Sequence, residues 1–327
     1  MRSSAASDVY KRQIMNRFRK ENKSVIFISH DLDEIMEVCD TLTVLRDGKI
    51  IRTFEKAEFE AGAIRASMIG RELQGDYYRS DFQASSQPEV ALDVRNLVYE
   101  DRLKGISFQV HKGEIVGIGG LAHCGMHSLG KVCFGALKPE EGSVTVEDGT
   151  IIDSPAIAMK KRVGYVSKDR DVESLCLNAS IEDNISIAGM SEFAINNFLI
   201  LKNREKKYVN HQIEELSIKC AGRDQSVSQL SGGNKQKVVF GKWIGCGSEI
   251  LILDCPTRGV DIGVKQAMYQ LMVRLKNEGK SILMISEELP ELIGMSDRIL
   301  IMKNGEVSAE FERSETLSDA QIIEYMI

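Results

Sequence analysis

The stretch KSVIFISHDLDEIMEVCDTLTVLRDGKIIRTFE, beginning at Lys23, slides without a gap onto KSILMISEELPELIGMSDRILIMKNGEVSAEFE, beginning at Lys280. Ser29 falls on Ser286, Asp40 on Asp297, Gly48 on Gly305 and Phe54 on Phe311, and apolar positions match apolar positions between these identities. The simplest account of such self-similarity is two copies of one domain. The second copy is expected over 90–327, and the first keeps only its tail, a C-terminal remnant over 14–80. Asp81–Pro88, DFQASSQP, is polar and ends in proline, which predicts a linker over 81–89. The opening MRSSAASDVYKRQ matches nothing expected ahead of such a tail, so residues 1–13 read as a non-native leader of translated adapter sequence, with a genuine disordered start as the alternative.

Within the second copy, the runs Glu114–Ile118, Val163–Val166, Ile250–Leu253, Ser281–Ile285 and Ile299–Met302 are short and β-branched, as strands buried on both faces should be. Val264–Asn277 carries apolar residues at helical spacing between two of them, giving the strand-helix alternation of an α/β fold with a mostly parallel sheet. Alternating stretches at Leu92–Val110 and Ser143–Glu147 add an antiparallel β subdomain, and Ser180–Gly245 a helical one.

With 43% hydrophobic and 28% charged residues the chain can bury a core, and a net charge of -6 argues against wrapping nucleic acid by bulk electrostatics. No apolar run approaches the roughly 18 to 20 residues that cross a bilayer, and no secretory leader pattern opens the chain. The seven cysteines are scattered and include no C-x-x-C pair, which favours reduced thiols over disulfides or zinc.

Chemistry enters at GGLAHCGMHSLGK, Gly119–Lys131, directly after an apolar run. A phosphate-gripping loop reads G-x-x-x-x-G-K-[ST], because backbone amides wrap the phosphates, a lysine neutralises them and a hydroxyl holds magnesium. Gly120 and Gly125 have the required spacing, but Met126 and His127 stand where lysine and hydroxyl belong. In QLSGGNKQKVVFGKWI, Gln229–Ile244, Ser231 can cap a helix expected to begin near Asn234, with Gly232 and Gly233 letting an anion approach the helix N-terminus. EILILDCPTRGVDIG, Glu249–Gly263, is a buried strand ending in Asp254, and the repeated switch strand ends in ISH in one copy and ISE in the other.

In this order and spacing the motifs resemble the ATP-binding-cassette ATPases, which are P-loop NTPases. LSGGNKQK with PTRGVDIG, and MIGREL at Met68–Leu73, resemble more narrowly the double-cassette ATP-binding subunit of bacterial ribose, galactoside and xylose importers. The resemblance implies ATP and Mg2+ as ligands, integral membrane permease subunits as partners, a periplasmic sugar-binding protein acting indirectly, and the missing first cassette in cis. It implies no nucleic-acid partner and a cytoplasmic chain peripheral on the inner face of the membrane.

In that family each ATP lies between the phosphate loop, carboxylates and switch histidine of one cassette and the LSGG helix of the other. Carried over by motif, His30 is the intact catalytic switch histidine, and Ser231, Gly232, Gly233 and Gln236 form the nucleotide-binding signature helix. Gly120, Gly125, Met126 and His127 form a degenerate phosphate loop, Asp254 remains as a weak Mg2+ ligand, Cys255 replaces the catalytic carboxylate, and Glu287 replaces the switch histidine. Asp261 resembles the loop aspartate that couples the two sites, and Lys168–Met190 would lie near the permease, although Ser167-Lys168-Asp169 departs from the usual Pro-Glu-Asp. A carboxylate about 4 Å from a γ-phosphate repels it by about 4 kcal/mol at an effective dielectric of 20. A cysteine of ordinary pKa is a poor general base. The expectation is one competent and one degenerate nucleotide site, with the fragment alone inactive.

Plainer roles compete with these. His30 could be a core histidine, Cys255 a small buried hydrophobe, Asp254 a loop cap, and Tyr99 half-buried packing rather than an adenine platform. His123, Cys124 and His127 lack a fourth metal ligand of sensible spacing, and Lys202–Lys207 reads as a solvated helix face. At the level of the whole chain, the alternatives are a non-catalytic pseudo-ATPase scaffold or regulator, and a soluble cassette protein acting on ribosomes or DNA.

Overall fold

The structure is a computed structural model that describes residues 14–15, 17–28, 32–46, 49–69, 77–195 and 199–327. His30, with Ser29 and Gly48 of the repeat and most of MIGREL, lies outside the described residues. The chain divides into two units, one of residues 1–77 and 261–266, the other of residues 78–260 and 267–327.

In the first unit a helix at Leu32–Val38 precedes an antiparallel hairpin, β1 (Thr41–Arg46) and β2 (Lys49–Glu55), and a second helix at Ala61–Ile69. Leu32, Val44, Phe54, Ile64 and Ile262 form its buried core. The sequence repeat is reproduced here at the level of the hydrogen-bond ladder. Leu42 faces Phe54 with a register shift between Val44 and Leu45, and in the second unit Ile299 faces Phe311 with the shift between Ile301 and Met302, the same positions of the repeat. The helix at Leu289–Met295 likewise occupies the repeat positions of Leu32–Val38.

One expectation fails in this unit. The switch strand of the first copy, over residues 23–28, is not a strand, and Ile26 and Ile28 are 93% and 92% exposed. Its counterpart in the second unit is buried throughout because parallel strands flank it on both sides, and the few described residues before Lys23 supply no such neighbours. A parallel strand without flanking strands has no ladder to satisfy its backbone.

The second unit begins with β3 (Val90–Tyr99) and β4 (Leu103–His111), which form a three-stranded antiparallel sheet with β6 (Glu141–Val146). β5 (Ile115–Gly120), β7 (Val163–Val166), β10 (Ile250–Asp254), β11 (Ser281–Ile285) and β12 (Arg298–Lys303) are mutually parallel in the order β12-β5-β11-β10-β7, and β13 (Glu306–Glu312) closes the edge antiparallel to β12. Helices at Ile181–Ser186, Lys202–Glu215 and Gly232–Gly245 pack together as a separate layer that also carries the two-residue strands β8 (Ala194–Ile195) and β9 (Leu199–Ile200). Of the expected solvated face, Lys202, Lys206 and Lys207 are exposed, whereas Glu205 is buried and paired with Lys202.

The parallel strands all point one way, so their C-terminal ends bring four loops to one edge of the sheet: those after Gly120, Val166, Asp254 and Ile285. Ligands of open α/β sheets bind at this edge.

The expected linker is not a free tether. Arg79, buried, donates to Asp297 at 3.0 Å, the Ser85 amide reaches the same carboxylate at 3.2 Å, and Gln87 donates to the Lys112 carbonyl. Lys276 and the Ile115 amide complete the surroundings of Asp297 at 3.0 and 2.8 Å. The second unit accordingly starts at Tyr78, ahead of the polar stretch that composition alone marks as the boundary.

Candidate functional site

The phosphate-loop glycines are there for steric reasons. A Cβ on Gly120 would stand 2.5 Å from the Met302 carbonyl, and one on Gly125, whose φ is 103°, would stand 2.1 Å from the Arg102 carbonyl. Gly125 caps a helix at Met126–Cys133. The fold of the loop is therefore kept while its chemistry is changed. Met126 is buried, adding packing where a phosphate-facing cation is expected, and His127 turns to the end of β10.

There His127 Nδ1 lies 2.7 Å from Oδ1 of Asp254, a carboxylate with no exposed surface. The other carboxylate oxygen accepts from the Tyr165 hydroxyl at 3.2 Å. On the far side of the ring, His127 Nε2 lies 3.5 Å from Glu287 Oε1 and 3.0 Å from Lys168 Nζ, and Lys168 donates to Glu287 at 2.7 Å. Burial lowers the imidazole pKa, but the hydrogen bonds to Asp254 and Glu287 outweigh it and the net shift is upward. Glu287 is held down at about 2, by the His127 hydrogen bond first and by Lys168 after it. His127 and Lys168 thus lie against the two carboxylates in a closed cluster.

This cluster corrects one electrostatic expectation. The repulsion of about 4 kcal/mol assumed for Glu287 applies to an unpaired carboxylate, whereas Glu287 here has a lysine counter-ion. Lys168 is the site residue that sequence reasoning missed, having been placed in the membrane-facing segment. Its signal was the departure from Pro-Glu-Asp, which exchanges a carboxylate for an ammonium opposite the position that exchanges a histidine for a carboxylate.

Cys255 follows Asp254 with a left-handed φ of 50°, its amide donating to the Ile285 carbonyl at 2.8 Å. Burial pushes its thiol well above the ordinary cysteine value, which removes it as a general base at neutral pH.

The signature segment keeps its form. Ser231 caps the helix at Gly232–Gly245 and accepts from the Asn234 amide at 3.4 Å and from its side chain at 2.9 Å; the helix starts two residues earlier than expected. Gln236 is buried and receives Arg170 Nη1 at 3.4 Å, and the same guanidinium donates to the carbonyls of Arg258 and Gly259 at 2.6 and 3.3 Å. Arg170 so ties the segment after β7 to the signature helix and to the loop after β10. Asp261 accepts from the Val264 amide at 3.0 Å. Tyr99 is partly buried on β3, and His123 is exposed on the phosphate loop.

Residues 103–258 match the family model described as ABC transporter. The fold is that of an ATP-binding cassette: a nucleotide-free cassette from an ABC transporter covers 73% of the chain at a TM-score of 0.60 and 24% identity, with 99% of that structure covered. CbiO1 from Clostridium perfringens, part of the ABC transporter complex cbiONQ, covers 72% at a TM-score of 0.59 and 26% identity, with 94% of it covered.

The chain is similar to curated ATP-binding proteins of ribose import. It is 37% identical to the ribose import ATP-binding protein RbsA of Clostridium tetani over 96% of its own length, 37% identical to that of Bacillus subtilis over 94%, and 39% identical to that of Streptococcus agalactiae over 93%. The chain spans 62% of the length of the first two relatives.

Proposed function

We propose that the chain is the ATP-binding subunit of a bacterial ABC importer for monosaccharides, energising uptake through integral membrane permease subunits. A periplasmic sugar-binding protein would act indirectly, and the chain would sit on the cytoplasmic face of the membrane. Its relatives' names support the transport role, and no helix among the described residues is long and apolar enough to cross a membrane.

Of the two shared nucleotide sites, one is competent and one degenerate. The carrying observation is the 2.7 Å contact between His127 and Asp254. Mg2+ takes oxygen ligands and tolerates little distortion, yet the position that should offer a hydroxyl offers an imidazole that engages the remaining carboxylate. This set of residues does not fit Mg2+. With Met126 buried and the Cys255 thiol protonated, this half-site also lacks a phosphate-facing lysine at the usual position and a base to orient water.

The signature helix faces the opposite assignment. Ser231, Gly232 and Gly233 keep the capped, open N-terminus that supports a phosphate from another half-site, where His30 would act as the switch. The closed cluster also favours the pseudo-ATPase reading for the second copy in isolation.

Steady phosphate release by the purified chain, alone and with co-expressed permease subunits, tests this. Turnover lost in His30→Ala and in Ser231→Glu supports a competent shared site, and a parent chain with no turnover supports the pseudo-ATPase reading. Turnover that survives both substitutions overturns the assignment.

A further inference from the structure

His127, Asp254 and Cys255 offer three donor atoms of different chemistry, nitrogen, oxygen and sulfur, all within 4.8 Å of one another. We propose that these three side chains bind a borderline-soft divalent ion of the zinc class, directly and without nucleotide, at the strand end that no longer suits Mg2+.

The distances are near those a bound ion imposes. Tetrahedral zinc with bonds of about 2.0 Å to nitrogen and oxygen and about 2.3 Å to sulfur separates its donors by roughly 3.3 to 3.7 Å. The sulfur closes inward by about an ångström at most, and the imidazole-carboxylate contact opens by about half an ångström as the ion replaces the proton between them. Asp254 ends a buried strand, Cys255 follows it in a buried bend, and His127 lies on the first turn of the helix after the phosphate loop, so two of the three donors sit on regular structure and all three on packed structure.

The surroundings supply a second, independent observation. A ligating histidine characteristically gives its other ring N–H to a carboxylate, and ligating carboxylates are themselves hydrogen-bonded. The second arrangement is present, and for the first a carboxylate stands 3.5 Å from the other ring nitrogen. His127 Nε2 faces Glu287 at 3.5 Å while Nδ1 faces the metal position, and the second oxygen of Asp254 holds the Tyr165 hydroxyl at 3.2 Å. Lys168 approaches the Nε2 side of the ring, so its ammonium is not at the nitrogen the ion would take.

Ligand chemistry sets the preference. Thiolate and imidazole select zinc or cobalt, whereas Mg2+ requires oxygen. On coordination the Cys255 thiol and the His127 Nδ1–H each release a proton to solvent, and the Cys255 sulfur and His127 Nδ1 lone pairs become metal bonds. Three protein ligands leave a fourth position for water, as in zinc sites that keep an open coordination site.

The test is cobalt titration of the intact, chelator-stripped chain. The expected result is one equivalent bound, with tetrahedral visible bands and a thiolate-to-cobalt charge-transfer band in the near ultraviolet. Zinc abolishes the spectrum by displacement, and excess Mg2+ leaves it unchanged. Cys255→Ser removes the charge-transfer band, and Glu287→Gln weakens binding by about tenfold or more while keeping that band. Cys124→Ser, a buried cysteine in the phosphate loop, leaves the spectrum intact. If Cys255→Ser does not fold, His127→Gln gives the same decision through loss of the single equivalent. The proposal is overturned if no charge-transfer band forms, if the band survives Cys255→Ser, or if it follows Cys124. Because no nucleotide is present, failure here leaves the transport assignment standing.

Discussion

Lys168 and Glu287 exchange charge across a contact of 2.7 Å, and a double-mutant cycle on nucleotide affinity exposes what the exchange does. The side chains are 27% and 43% exposed. Two unit charges at about 4 Å interact by about 4 kcal/mol at an effective dielectric of 20, while exposed ion pairs measure about 0.2 to 1 kcal/mol. Partial exposure places the effect between these limits, at about 1.4 kcal/mol, or about tenfold in affinity. Removing the ammonium with Lys168→Ala leaves Glu287 to oppose the phosphates, so the dissociation constant of a fluorescent ATP analogue rises by about that factor. Glu287→Ala frees Lys168 and lowers it several-fold. The double variant returns close to the parent value; single effects of about +1.4 and about −0.7 kcal/mol sum to about +0.7, so the interaction energy has a magnitude of about 0.7 kcal/mol. Single-variant effects that add within about 0.3 kcal/mol, or a Lys168→Ala protein that binds as tightly as the parent, refute the compensation.

Asp297 and Asp40 are the same position of the repeat in unlike surroundings, 2% and 78% exposed. Asp297→Ala strands two buried cations and costs about 3 to 5 kcal/mol, whereas Asp40→Ala stays within about 0.5 kcal/mol; urea midpoints followed by near-ultraviolet circular dichroism measure both. Gly125→Ala forces a Cβ into the Arg102 carbonyl and costs more than the 1 to 2 kcal/mol of left-handed strain, roughly what Gly149→Ala costs, since nothing lies within 4 Å of that glycine. The charged contacts of His127, whose pKa is raised, stabilise fully below its unfolded value of about 6.5 and are lost as pH rises through the higher folded value. Those of Glu287, held at about 2, are present above the unfolded carboxylate value and are lost as pH falls toward 2. NMR titration should place the His127 midpoint above about 6.5 and lower it in Glu287→Gln; a midpoint unmoved by that substitution contradicts the cluster.

Much of this architecture is legible in the sequence because parallel strands buried on both faces must be short apolar runs. Each of the five expected runs became a strand within two residues of its expected bounds, for instance Val163–Val166 as β7 and Ser281–Ile285 as β11. The repeat carried further than expected, down to a shared register shift. Residues 23–28 show the limit: the same apolar pattern forms a strand only where flanking strands complete its ladder. The site was legible by motif at Gly120, Gly125, Ser231 and Asp254. Its wiring was not, because the pairs Lys168–Glu287 and His127–Asp254 are set by which strand ends the sheet order brings together, and sequence separation hides that. The docked linker escaped notice for a similar reason, since its polar atoms are satisfied by Asp297 and Lys276 rather than by water.

The central claim is that the second copy's own half-site does not cut ATP, while its signature helix remains fit to serve another. The most direct measurement is single-turnover phosphate release from ATP and Mg2+ by this chain, compared among the parent, Asp254→Asn and His30→Ala. The account predicts no release that depends on Asp254. Release abolished by Asp254→Asn and untouched by His30→Ala contradicts it.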